Sequence, residues 1–236
     1  MMTELTLPII GYMHSSYKEK FGIPRQPNLV QVESYIEMLA PYNDVLAFEG
    51  IEAFSHLWLV WQFHDNKNPE KNQFRPQVRP PRLGGNKKIG VFATRSMYRP
   101  SPIGLSVVRL KCVKKEGKSV RVYVTGSDLL DGTPIVDIKP YIHYSDAVID
   151  AESGYAQDEP KRKSVIWSDR AIEQKQQLLM SGKLSVQTAQ ELEAVLSLDP
   201  RPAYQDDEAR VYKMKFAAVD IAFTVGETTV NITAVE

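Results

Sequence analysis

Between residues 88 and 141 four β-prone runs follow one another, around 88–94, 104–113, 119–125 and 135–141, with only turns or short loops between them. Short strands at this spacing favour an all-β barrel or sandwich over a βαβ fold. The run "SHLWLVWQFH" sharpens the point. Its period-two alternation sets Leu57, Leu59, Trp61 and Phe63 on one face and His56, Trp58, Val60, Gln62 and His64 on the other. The first face is core. The second mixes polar and aromatic groups, as a wall lining a pocket or interface does. His56, nearer the middle of the apolar run, reads as a hydrogen-bonded structural histidine, whereas His64 at its end is freer to act. Upstream, Thr6 to Met13 and Ser34 to Leu39 read as further strands, and Asp44 opens a short helical piece ending near Gly50.

After Tyr144 the composition changes. "SDAVIDAESGYAQDEP" is acidic and aperiodic, which suits a linker or surface loop. Helical periodicity follows from Asp169 to Met180, with Ser168 as N-cap and Gly182 as the C-terminal stop. Ser185 caps a second helix to about Leu196. Strand-like runs, including "VYKMKFAAV" and "TTVNITAV", finish the chain. The expected organisation is mainly β: a β-rich N-terminal domain over residues 1–146, an acidic linker over 147–160, and a smaller α+β C-terminal domain over 161–236.

Charge is laid out unevenly. The formal net charge is zero, from 29 basic and 29 acidic residues. Yet Lys71 to Lys115 contains no Asp or Glu and twelve basic residues, so the rest of the chain is strongly acidic. A positive excess confined to one block suggests an anionic partner for that block. Phe74, Phe92 and Tyr98 interleave with the bases, and aromatic faces beside cations suit unstacked bases of single-stranded RNA.

Other classes are excluded. The single cysteine, Cys112, allows no intramolecular disulfide and no cysteine-cluster zinc site, and its place in a strand-like run reads as a buried, inert thiol. No G-x-G-x-x-G after a strand, Walker A loop, H-E-x-x-H or G-x-S-x-G occurs, and no metal is expected. "MMTELTLPIIGYMHSS" lacks a basic n-region and its apolar run is too short for a secretory signal; no segment approaches a membrane span. The expected location is cytoplasmic.

Three loops stand out for proline stiffening, the third of them "LDPRPAYQ" with its arginine, and a fourth, "DLLDGTP", for its carboxylates. In "GVFATRSMYRPSPIGLSVVRL", Pro100 and Pro102 push Arg99 and Ser101 into extended conformations, and Gly104 permits a sharp re-entry into the next strand. Pro24 and Pro27 flank Arg25 and Gln26 in a second stiff loop. In "DLLDGTP", Asp131-Gly132 is a turn signal, which accounts for Asp131 but not for Asp128. Loops with so little entropy left to lose can hold side chains ready for a ligand.

The blocks "GVFATRSMYRPSPIGLS", "YKEKFGIPRQP", "EAFSHLWLVWQFH", "RPPRLGG" and "SDLLDGTPIVDIKPY", spread over residues 5–145, together resemble the TsaA-like family. The resemblance continues weakly into "LDPRPAY". It implies an S-adenosylmethionine-dependent enzyme built on a β-barrel rather than a Rossmann fold and working as a homodimer. The family's tRNA-modifying members methylate N6 of threonylcarbamoyl-adenosine, just 3′ of the anticodon in threonine tRNA. The resemblance also implies a cofactor site made of Pro24, Arg25 and Gln26, His64 and Asp65, Arg95, Leu105, and the loop Asp128, Leu129, Leu130 and Asp131. The family pattern carries asparagine where this chain has Ser101.

Each implied residue has a chemical task open to it. Arg95 can pair with the methionyl carboxylate, Asp128 or Asp131 can accept from ribose hydroxyls or the ammonium, and Leu105 can pack on the adenine. The attacking N6 is a ureido nitrogen with a delocalised lone pair, so a base within hydrogen-bond reach should help. Asp128, His64 and Tyr98 are the candidates, alongside a mechanism driven by orientation alone. Phosphate contacts fall to Arg75, Arg79, Arg82, Lys87, Lys88 and Arg99, with Arg201 and Tyr204 helping to hold the anticodon arm. The competing readings are a non-catalytic RNA-binding barrel, a family methyltransferase with another target, and a structural or protein-interaction domain.

Overall fold

The computed structural model describes residues 5–65, 74–201 and 207–236. Along the first 140 residues run β1 (Gly11–His14), β2 (Glu33–Met38), β3 (His56–Gln62), β4 (Gln77–Val78), β5 (Ile89–Gly90), β6 (Ile103–Glu116), β7 (Ser119–Thr125) and β8 (Pro134–Pro140). Six of them close a barrel in the order β1-β2-β7-β6-β3-β8, with β8 returning to β1 and every pairing antiparallel. The mainly β expectation with an N-terminal barrel holds. Closure removes the exposed sheet edges that an open sheet of short strands would leave.

The alternation in β3 does what its periodicity requires. Leu57, Leu59 and Trp61 are buried in the barrel core with Met13, Ile36, Val108, Val122, Val124 and Ile135. Gly104 does not serve as a turn; it lies inside β6 opposite Trp61. A Cβ there would meet the Trp61 ring at 2.2 Å, so the glycine makes room for the indole. Cys112 is half-buried, beside the register shift of β6 between Leu110 and Cys112.

Several elements differ from the sequence reading. Residues 6–10 are irregular and β1 starts at Gly11. Val91–Ala93 is one turn of 3-10 helix after the two-residue β5, because Thr94 closes back on Val91: its amide and its hydroxyl both donate to the Val91 carbonyl, at 3.1 and 2.8 Å. The basic excursion is not featureless either. β4 pairs with β5 into a small ribbon, with a 3-10 turn at Pro81–Leu83.

Beyond β8 come a short helical turn, α1 (His143–Asp146), then β9 (Ser164–Trp167), α2 (Asp169–Met180), α3 (Val186–Leu196), β10 (Tyr212–Phe216), β11 (Val219–Val225) and β12 (Thr229–Val235). Ser168 and Ser185 cap α2 and α3 through bonds from Ala171 N and Thr188 N. The sheet runs β10-β11-β12-β9, antiparallel except for β9, which joins β12 in parallel. The sequence reading had no strand at β9: four residues of mixed exposure leave too little pattern to show one.

The core of this second layer contains Tyr17, Val30 and Val32, all from the stretch between β1 and β2. Tyr17 bridges Phe216, Ala217 N donates to Ser16 O at 2.8 Å, and Lys215 N donates to Glu19 Oε1 at 2.9 Å. The chain therefore leaves the barrel after β1, buries its apolar residues against α3 and the C-terminal sheet, and returns. The Pro24–Pro27 loop rides on that detour. Among the described residues no helix is long and apolar enough to cross a membrane.

Candidate active site

The loop between β7 and β8 is stapled to the chain just after β1. Asp131 N donates to Tyr17 O at 2.9 Å and Gly132, at φ +78°, donates its N–H to Met13 O at 2.8 Å. Ser15 Oγ donates to Leu129 O at 2.9 Å. Asp131 has both carboxylate oxygens engaged, Oδ1 by Ser15 N at 2.9 Å and Oδ2 by Lys18 Nζ at 2.9 Å. The Leu129 side chain is buried in the barrel core, while Leu130 is half-buried. The carboxylate this loop leaves for chemistry is Asp128.

Asp128 is held by a directed relay. Trp61 Nε1 donates to Ser106 Oγ at 3.0 Å, and Ser106 Oγ donates to Asp128 Oδ1 at 2.6 Å. Because the serine oxygen already accepts the indole proton, its own proton is directed to the carboxylate. Burial pushes the Asp128 pKa above the ordinary aspartate range; the Ser106 bond, its own backbone N–H and the positive charge of Arg95 pull against that. Tyr17 lies close enough for its hydroxyl to feel Asp128. Burial, with the negative charges of Asp128 and Glu191, keeps that hydroxyl protonated. It has no hydrogen-bond partner among the described residues.

Arg95 connects this carboxylate to the proline-stiffened loop, where its Nη1 donates to Gln26 Oε1 at 2.5 Å. Pro24 is buried beneath the loop, and Arg25 and Gln26 are exposed. Arg25 Nη2 donates to the Arg201 carbonyl at 3.1 Å, tying the loop to the C-terminal layer. His64 and Asp65 follow β3. Lys20 reaches the Asp65 carbonyl and lies 3.5 Å from its carboxylate. Burial and the Lys20 charge lower the His64 pKa against the opposing pull of Asp65, so the imidazole is neutral at neutral pH. Leu105 is 52% exposed on the outer face of β6.

Gln26, Arg95 and Asp128 thus come together, with His64, Asp65 and Lys20 in a second small cluster. Tyr98 is held differently: the Arg75 guanidinium stacks 4.4 Å over its ring, and its carbonyl accepts from Arg75 N at 3.2 Å. Arg99 folds back on its own loop, donating from Nη1 to Thr94 O at 2.8 Å and Ser96 O at 3.4 Å. Arg75, Arg79, Arg82, Lys87 and Lys88 are all exposed along the ribbon, and Arg82 also donates to the Asp158 carbonyl of the acidic segment.

Arg201 corrects the sequence reading. It is 7% exposed and clamps Asp199 through two bonds of 2.9 Å, with Nη1 toward Val225 O. It is a buried strut rather than an exposed cation: its guanidinium pairs with Asp199 and its carbonyl anchors Arg25. Tyr204 lies outside the described residues. Trp61, Ser106, Tyr17 and Lys20 were not singled out for the site. For Ser106 a signal existed, since alternation places this polar residue on the apolar inner face of β6, where it must find a partner. An open groove of about 420 Å³, lined by His14, Lys18, Tyr35, Asp131, Gln187 and Glu191, runs between barrel and α3; none of Gln26, Arg95 or Asp128 lines it. No cluster of metal-ligating side chains occurs among the described residues.

Comparison with known proteins matches this two-part architecture. Residues 12–147 match the tRNA-methyltransferase O N-terminal domain, and residues 160–236 match the TrmO C-terminal domain. The class is that of barrel-built tRNA methyltransferases with a C-terminal companion. The chain belongs to the tRNA-methyltransferase O (TrmO) family. The tRNA (adenine(37)-N6)-methyltransferase of Escherichia coli (strain K12) is 45% identical over 208 residues, 88% of this chain and 86% of that protein. A Pseudomonas aeruginosa protein named "Putative S-adenosylmethionine-dependent methyltransferase RcsF" is 45% identical over 223 residues, 93% of this chain and 92% of that one. The crystal structure of TrmO from Pseudomonas aeruginosa superposes with a TM-score of 0.78 at 35% identity, covering 100% of this chain and 99% of that chain.

Proposed function

We propose that this protein methylates N6 of threonylcarbamoyl-adenosine 37 in threonine tRNA, acting as a cytoplasmic homodimer. Family membership makes it an S-adenosylmethionine-dependent tRNA methyltransferase; the modified base, the tRNA species, the dimer and the residue roles are the finer reading. The observation that carries it is the convergence of Gln26, Arg95 and the half-buried Asp128.

That donor set fits the cofactor. Arg95, steadied by Gln26, supplies a guanidinium for a carboxylate, and exposed Leu105 offers an apolar surface for a base. S-adenosylmethionine, when bound, supplies a methyl group on a sulfonium. Asp128 is oriented by Ser106 and is more basic than an ordinary aspartate, which suits it to take the N6 proton. Asp131, locked by Ser15 and Lys18, shapes the loop. The ribbon bases and Arg99 supply positive charge for phosphates, and the layer from residue 161 onward supports the proline-stiffened loop through Arg201.

A second reading of the base rests on His64, whose neutral imidazole can also accept a proton. The test is methyl transfer from labelled S-adenosylmethionine to threonine tRNA with and without its threonylcarbamoyl group, read as nucleosides by mass spectrometry. Label on N6 of the modified adenosine alone is expected. Label on both tRNAs removes the modification from the specificity; label on neither, with tRNA still bound, sinks the proposal in favour of a non-catalytic RNA-binding barrel. Comparing Asp128→Asn with His64→Gln in the same assay identifies the base.

A further inference from the structure

Phe74 and Phe92 are 50% and 70% exposed, and they belong to neither apolar core. They stack on each other with centroids 6.2 Å apart and ring planes at 30°. Two large aromatic rings displayed side by side to water are costly unless something covers them. The residues beside them in the chain are hydrogen-bonded to other segments. Phe92 sits in the 3-10 turn whose Val91 is buried and donates N–H to Pro76 O at 3.0 Å. Phe74 adjoins Arg75, which is pinned to Tyr98 by both its backbone N–H and its guanidinium.

The charge around the rings chooses their partner. They lie within the stretch from Lys71 to Lys115 that contains no acidic residue, flanked by exposed Arg75, Arg79, Arg82, Lys87, Lys88 and Arg95. The acidic remainder of a second copy could match that charge, but a pair of exposed aromatic rings amid cations suits a polyanion that also carries planar rings. We infer that Phe74 and Phe92 form a stacking platform for an unpaired base of the substrate RNA, beside the reacting nucleotide. Phe92 stands three residues before Arg95, which puts the platform and the proposed cofactor clamp on one stretch of chain. This inference rests on the tRNA reading above and names where a neighbouring base is held.

The experiment measures affinity of the full chain for threonine tRNA across a salt series, with S-adenosylmethionine affinity and oligomeric state recorded in parallel. Variants are Phe74→Ala, Phe92→Ala, the stacking-competent Phe92→Trp, and Arg79→Ala. Each alanine at a phenylalanine is expected to weaken RNA binding about 5- to 150-fold, leaving the slope of log affinity against log salt and the cofactor affinity unchanged. Phe92→Trp should retain binding. Arg79→Ala should instead reduce the slope by about one. Unchanged RNA affinity in both phenylalanine variants, while the wild type binds and methylates tRNA, overturns the platform and spares the proposed function. A change in oligomeric state without loss of RNA affinity also overturns it, assigning the rings to a second copy. A wild type that neither binds nor methylates tRNA removes both readings together.

Discussion

Asp128 is the residue whose environment works against the fold. Burial raises its pKa, so the folded state holds its proton more tightly than the unfolded chain. The sign of the linkage follows. This group favours folding at low pH, and its contribution turns unfavourable as pH rises from the ordinary aspartate value, about 3.9, through the raised one. Asp128→Asn keeps an oxygen for Ser106 and removes the buried charge. It should therefore raise thermal stability at pH 7, with the gain fading toward pH 4 in melting curves, while lowering methyl transfer about 10²- to 10⁴-fold. A variant that is less stable at pH 7 would show that the carboxylate is stabilised by its neighbours after all. Ser106→Ala tests the relay. Without the serine proton the charged carboxylate loses its best donor, so the acidic limb of the rate–pH profile should move to higher pH. The orphaned Trp61 N–H should cost about 1–3 kcal/mol of stability, measurable by denaturant titration. Arg95, Tyr17 and the Asp128 amide remain around the carboxylate in that variant, so the shift reports the serine alone.

Strand β3 and the loop ahead of β6 govern the site as elements. Trp61 is both a core side chain and the first donor of the relay, and it has its place because Gly104 on the paired strand has no Cβ. Gly104→Ala should push the indole off its position, costing about 1–3 kcal/mol in urea unfolding and weakening activity more than stability predicts, because Ser106 and Asp128 move with it. An active, equally stable variant would mean that the ring has room to rotate away. The loop from Thr94 to Arg99 is braced from within, since the Arg99 guanidinium caps two of its carbonyls. Its stiffness therefore comes from that arginine as well as from Pro100 and Pro102.

At the scale of the whole molecule, the stretch between β1 and β2 joins the barrel to the C-terminal layer. Tyr17, Val30 and Val32 are buried against α3 and the sheet that ends in β12, and the Arg201 carbonyl receives Arg25 from the same detour. A fragment ending at residue 147 would expose those side chains, each worth about 1.5–3 kcal/mol when fully buried. It should melt at lower temperature than the full chain, bind the dye ANS, and lose S-adenosylmethionine affinity because the Pro24–Pro27 loop loses its support. A fragment that binds the cofactor as well as the whole chain would show that the barrel alone sets that loop.

Strand alternation, helix caps and turn residues act over a few positions, so the sequence by itself determined most of the barrel strands, α2, α3 and the stiffness of the proline-bearing loops, while closure of six strands into a barrel rather than a sandwich depended on their pairing. The charge block was likewise legible, because a run without acids is a property of the chain order. The tertiary structure alone decided what distant residues do to one another. Arg201 reads as an exposed cation until Asp199 and Val225 close over it; Ser106, itself held by Trp61, reaches Asp128 while Ser15 and Lys18 reach Asp131; Phe74 and Phe92 stack across eighteen positions of chain. Those outcomes depend on burial and on contacts between elements far apart in sequence, where local periodicity carries no signal.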